Sequence, residues 1–129
     1  MGIEENKETV IRFLKSMETG TDYSLACEDM RWWIPGTGYI DRDQFLILME
    51  RVKSILKTPV KVEIRHVTAE ADRVAVEFDG HAELANGQSY DNSYHFLYLL
   101  RDGKILEQRE HADSAYAKTV FGPLLTKGL

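Results

Sequence analysis

Cysteine, proline and long apolar runs are scarce in this chain: 129 residues hold one cysteine and three prolines. A single thiol, Cys27, excludes an intrachain disulfide, and it reads as a small core residue in an apparent helix rather than as a nucleophile. No apolar run reaches the roughly 18 residues that span a bilayer. The opening MGIEENKET is acidic and polar, without the pattern of a secretory signal, so the expected place is a reducing cytoplasm. A net charge of −5 and the lack of any basic stripe argue against nucleic acid as a partner. There is no internal repeat, low-complexity stretch or linker. The length fits one domain, residues 1–129, large enough to bury a core or an internal pocket.

What is present is organised around Tyr90 to Asp113. Two alternating runs there are joined by Asp102-Gly103, a hairpin signal, because a type I′ turn needs two residues at positive φ. Centred on that turn, His95 faces Glu110, Leu97 faces Gln108 and Leu99 faces Leu106 on one side of the sheet. The other side carries Tyr90, Asn92, Tyr94, Phe96 and Tyr98 with Glu107, Arg109, His111 and Asp113.

Upstream, Val10, Phe13, Leu14 and Met17 follow the spacing of one helix face, which Gly20 ends. Asp22 to Cys27 predicts a short second helix, and Met30 to Ile34 a short strand cut by Pro35-Gly36. Asp41 with Gln44 forms a capping-box pattern for a third helix. Its stripe is Phe45, Leu48, Met49, Val52 and Leu56, and Thr58-Pro59 stop it. From Val60 the period becomes two. Val60, Val62, Ile64, His66 and Thr68 point one way. Beyond a short loop at Glu70-Ala71, the next strand turns Val74, Val76, Phe78, Gly80, Ala82 and Leu84 to its apolar face. Asn86-Gly87 predicts a second type I′ turn, which sets Phe78 beside His95 and Val76 beside Leu97. The loop before it sets Ile64 beside Phe78 and His66 beside Val76. Ser114 to Phe121 predicts a last short helix, ended at Gly122-Pro123. The sum is an α+β fold: a curved antiparallel sheet with three helices of the N-terminal half on its apolar, concave face.

This order, with Trp33-Ile34-Pro35-Gly36, the run Asn92 through Asp113, and Ala115-Tyr116-Ala117, resembles the SnoaL-like branch of the nuclear transport factor 2-like superfamily. The resemblance implies a cone-like half-barrel around a hydrophobic pocket, usually in a homodimer formed through the outer sheet face. Members include ketosteroid isomerases, polyketide cyclases, limonene epoxide hydrolase and dehydratases. Aligned with ketosteroid isomerase, the general-base position falls on Ile34 and the two oxyanion-hole positions fall on Phe13 and His95, so that mechanism is not carried over. The epoxide hydrolase pattern places Glu110 on a catalytic aspartate position, but the rest of that constellation is not traceable here. The polyketide cyclases imply less: one acid–base group in an apolar pocket.

The expected site is therefore a His95–Glu110 pair in a low-polarity cavity. Imidazole and carboxylate side by side titrate together and can move a proton alpha to a carbonyl; they can equally be a satisfied pair that fixes the sheet. Substrate contacts are expected from Phe13, Trp32, Trp33, Tyr39, His66, Phe78, Asn92 and Gln108. Each of the aromatics also fits ordinary core, and His66 a plain hydrogen-bonding role. No ligand spacing points to a metal, and no cofactor is expected. Tyr94, Phe96, Tyr98, Arg109 and His111 are expected at the dimer contact, because aromatics with arginine are enriched at interfaces. The function expected is a cofactor-free isomerase, cyclase or dehydratase on a hydrophobic carbonyl compound, or a non-catalytic dimeric binding or scaffold protein.

Overall fold

The computed structural model describes residues 2–126, with side chains through Phe121. Helix α1 (Ile3–Lys15) leads through short 3-10 turns into strand β1 (Ala26–Ile34), then β2 (Gly38–Ile40), helix α2 (Arg42–Ile55), strands β3 (Lys61–Glu70), β4 (Arg73–Glu83), β5 (Ser89–Arg101) and β6 (Lys104–Ala112), and helix α3 (Ser114–Thr126). The strands form one sheet in the order β2-β1-β6-β5-β4-β3. The architecture is α+β, an open, curved sheet with three helices.

Local chemistry explains most of the elements. Asp41 and Gln44 close a reciprocal capping box at α2, each bond 2.9 Å long. Val10, Phe13 and Leu14 bury the expected face of α1 against β3, β4 and β6. Asp102 at φ 51° and Gly103 at φ 77° make the predicted two-residue turn between β5 and β6.

Three features depart from the sequence reading. Residues Ala26 and Cys27 belong to β1, not to a helix; only Tyr23–Leu25 make a 3-10 turn. Parallel pairing of β1 with β6 overrides the local helical pattern and makes the sheet mixed. Helix α3 runs through Gly122-Pro123 rather than stopping there. The third departure is one of phase. The turn at Asn86-Gly87 is a three-residue loop, with Leu84 N donating to Gln88 O at 2.8 Å and only Gly87 at positive φ. Phe78 thus pairs with Tyr94 and Val76 with Phe96, one residue off the expected register. A bulge at Leu106 adds a second one-residue shift, so Phe96 pairs with Glu110 and Tyr98 with Gln108. The two shifts cancel for β4 and β6, which face as expected. Strand β5 alone is reversed. A second bulge, at Arg65, keeps Ile64 beside Phe78 but sets His66 opposite Glu77.

The core follows from this phase. Tyr94, Phe96, Tyr98 and Leu100 turn inward with Val74, Val76 and Phe78. Phe78 stacks on Tyr94 at 4.9 Å and meets Phe96 edge-on at 4.9 Å.

Candidate functional site

Between the concave face and the helices lies a cavity of about 470 Å³, a size that suits a small-molecule ligand. Phe13 of α1, Met17 of the 3-10 turn after it, Phe45, Leu48, Met49 and Val52 of α2, and Phe121 of α3 form the helical wall. Phe78, Tyr90, Tyr94, Phe96, Gln108, Glu110 and Ala112 form the sheet wall. Pro35 and its neighbours from the turn after β1 reach the rim. Among the described residues, Glu110 and Lys118 are the charged side chains of this wall.

Glu110 is held at one point. Gln108, two residues before it on the same face, donates Nε2–H to Glu110 Oε1 at 2.8 Å. Burial in the apolar cavity pushes the Glu110 carboxyl up to about 7, and the Gln108 bond opposes that only in part. Near neutral pH such a group exists in both forms and can accept or give a proton. Farther along β5, Tyr90 and Tyr94 approach hydroxyl to hydroxyl at 2.7 Å. Burial pushes the pKa of both phenols up, so they stay neutral donors and acceptors.

Of the residues singled out from sequence, Phe13, Phe78, Gln108 and Glu110 meet at the cavity. His95 does not: the loop at Ala85–Gly87 reverses β5, so His95 is exposed on the convex face, opposite His111 and Glu77. The expected His95–Glu110 pair is thereby broken. His66 is also exposed on the convex face because of the Arg65 bulge. Trp32 points inward but is fully buried beneath the wall, stacked on Phe45 at 3.9 Å. Trp33 points outward under the Arg109 guanidinium, 5.0 Å from its ring centre. Tyr39 is 49% exposed and donates to Glu107 Oε2 at 3.3 Å on the convex side. Asn92 is buried behind the wall, donating to Tyr90 Oη at 3.0 Å and Asp113 O at 3.3 Å.

Tyr94, Phe96 and Tyr98, expected on an outer contact face, are inward; Arg109 and His111 remain outward. The missed wall residues Tyr90, Tyr94 and Phe96 had a signal. Their alternating face carries the larger apolar mass of β5, and weighting that above the turn would have set the strand correctly. Among the described residues no cluster of three or more His, Cys, Asp or Glu is placed to hold a metal ion, and no helix is long and apolar enough to cross a membrane.

Residues 23–108 match the model of the SnoaL-like domain, and the chain belongs to that family. A candidate SnoaL-like polyketide cyclase from Jannaschia sp. CCS1 superposes with a TM-score of 0.76 at 21% identity, covering 91% of each chain. AclR, a candidate hydroxylase from Streptomyces galilaeus, gives 0.80 at 16% identity over 94% of this chain and 83% of its own. Bal32a, from a soil-derived mobile gene cassette, gives 0.78 at 26% identity over 92% and 97%. No curated protein matches the sequence. Neighbours with different assigned activities share this backbone, so the fold alone does not select a reaction.

Proposed function

We propose that this chain is a cofactor-free acid–base enzyme acting on a hydrophobic carbonyl compound, with Glu110 as the group that moves the proton. One observation carries the reading: a lone carboxyl in an apolar cavity, held by Gln108 and poised near pH 7. In its ionised form Glu110 takes the proton alpha to the carbonyl. The C–H electron pair becomes the C=C bond of an enolate, and the carbonyl π pair moves to oxygen. The resulting carboxylic acid returns the proton at another carbon or to oxygen, which completes an isomerisation or an aldol-type closure. His95 has no part in this scheme. The cyclase assignment of the Jannaschia neighbour is compatible with it.

The test is turnover of a panel of enolisable ketones and polyketide-like compounds. Glu110→Gln is expected to abolish turnover that the wild type shows. A ligand that binds and is recovered chemically unchanged across the panel supports the binding-protein reading instead.

The same proposal takes residues 1–129 as one cytoplasmic domain that works as a homodimer through the convex face. That face carries half-buried Trp33 and Leu97 among Arg31, Arg109 and His111. Light scattering should then show a dimer that Leu97→Glu converts to monomer. A monomeric wild type contradicts it.

A further inference from the structure

The hydroxyl pair at the far end of β5 has a direction that its surroundings fix. Asn92 Oδ1 accepts from the Ser93 backbone N–H at 2.9 Å, and its Nδ2 donates to the Asp113 carbonyl at 3.3 Å. Both partners are backbone groups of fixed character, so the amide cannot be turned over without loss. Its Nδ2 therefore donates to Tyr90 Oη, 3.0 Å away, and Tyr90 acts there as acceptor. The Tyr90 ring is packed between Tyr116, stacked at 5.2 Å, and Phe121, edge-on at 4.9 Å. Tyr90 is 1% exposed, and Tyr94 Oη at 2.7 Å is the acceptor within reach of its proton. The opposite direction, Tyr94 donating to Tyr90, strands the Tyr90 proton in a buried place, which costs its desolvation without a bond in return. The favoured order is thus Asn92 to Tyr90 to Tyr94. It leaves the Tyr94 O–H as the end of the chain, on the cavity wall and without an acceptor of its own among the described residues.

Tyr94 and Glu110 share the concave face of adjacent strands. Tyr94 is opposite Ala112, while Glu110 is opposite Phe96. That diagonal relation sets their Cα atoms roughly 7–8 Å apart, a span that one small ligand bridges. Burial holds the Tyr94 phenol neutral, so it presents a proton rather than a charge.

We propose that Tyr94 is a second catalytic residue of this cavity, the terminal donor of an Asn92–Tyr90–Tyr94 relay, and that it takes the oxygen of the ketone whose alpha proton Glu110 moves. The inference rests on the reading of Glu110 given above and deepens it: the substrate must present a carbonyl oxygen to Tyr94 and an adjacent C–H to Glu110. A donor that already accepts a hydrogen bond from a second phenol is a stronger donor, because successive bonds in a chain polarise one another. It stabilises the enolate oxygen more than the ketone oxygen, which is the condition for lowering the barrier.

The experiment uses the full chain at about pH 8.5, where Glu110, with its pKa near 7, is ionised and cannot donate. The probes are 2-acetylnaphthalene and 2-isopropenylnaphthalene, which share a shape but differ in the oxygen. The wild type should bind the ketone about tenfold more tightly, as one hydrogen bond of about 1.4 kcal/mol requires. The infrared carbonyl band of the bound ketone should move to lower frequency. Tyr94→Phe should erase both effects and leave the alkene affinity unchanged, which also shows that the cavity is intact. Tyr90→Phe should reduce the band shift without removing it, a response that a merely structural tyrosine would not give. Equal affinity for the two probes, binding of neither, or a preference and band shift that survive in Tyr94→Phe overturns the proposal. Glu110→Gln separates the two readings. A ketone preference that persists in that variant, when its turnover equals that of the wild type or the wild type has none, keeps Tyr94 and removes the catalytic role of Glu110. Glu110-dependent turnover without a ketone preference removes Tyr94 alone.

Discussion

Glu107 and Glu110 lie on one strand, β6, and face opposite sides of the sheet. Glu107 is buried and Glu110 half-buried at the cavity, and their surroundings differ in kind. Glu107 is 3% exposed and is clasped on the convex side by Arg31 Nε at 2.7 Å, by the Tyr39 hydroxyl at 3.3 Å and, more loosely, by Arg109 at 4.0 Å. Glu110 is bonded by one neutral amide and faces a mostly apolar wall, in which Lys118 of α3 is the other charged side chain among the described residues and makes no ion pair with it. The same side chain is thus an ion-pair partner in one place and, in the function proposed above, a proton exchanger in the other. What separates them is the supply of cationic donors. Arg31 meets Glu107 because β1 runs parallel to β6 with Arg31 beside it in register. No strand brings a cation to the inner face at Glu110.

Four substitutions sharpen or break this contrast. The largest effect is kinetic. Glu110→Gln should lower turnover by about 10²–10⁴-fold, the usual loss of a general base, while Glu107→Gln keeps it within a few-fold. Comparable losses from both would erase the distinction. Next is Arg31→Met, which leaves the Glu107 carboxylate buried with weaker partners. A loss of about 3 kcal/mol in chemical denaturation is expected, with little change in cavity binding. Third, Glu110→Gln should stabilise the protein at pH 8. The folded pKa of Glu110 lies above its ordinary 4.5, so the folded state binds more protons than the unfolded chain between about 4.5 and 7. Its ionisation therefore costs nothing below that window and destabilises the fold progressively as pH rises through it. The full penalty, roughly 3 kcal/mol, is present above it. A Glu110→Gln protein no more stable than wild type at pH 8 contradicts this. The smallest effect is Tyr98→Phe. The Tyr98 hydroxyl is buried without a hydrogen-bond partner among the described residues, so removing it should be neutral or stabilising by about 1 kcal/mol in thermal unfolding.

Much of this contrast was legible in the chain, and the rest was hidden for physical reasons. The capping box, the inner face of α1 and the Asp102-Gly103 turn rest on local chemistry, and the residues state it directly. Glu110 and Gln108 were placed on the inner face with Phe78, but only because two one-residue misreadings cancelled. The loop Ala85–Gly87 holds three residues where Asn-Gly suggested two, and the bulge at Leu106 returned the phase. Everything assigned from β5 was inverted. His95 took the role of a wall residue, and Tyr94 and Phe96 were sent outward. His66 was lost to the bulge at Arg65 in the same way. A bulge adds one residue and has no composition of its own, so a period-two pattern cannot reveal it. Parallel pairing of β1 with β6 was invisible for a different reason: it joins segments far apart in sequence, and it drew Ala26 and Cys27, the end of an apparent helix at Asp22–Cys27, into strand.

The measurement closest to the central claim is the titration of the Glu110 carboxyl carbon by NMR in protein labelled at glutamate, assigned through Glu110→Gln. A midpoint near 7 is expected, the value that burial gives this group. A midpoint at or below the ordinary 4.5 would mean that the carboxyl is solvated or paired with a cation, and the proton-transfer account would fail.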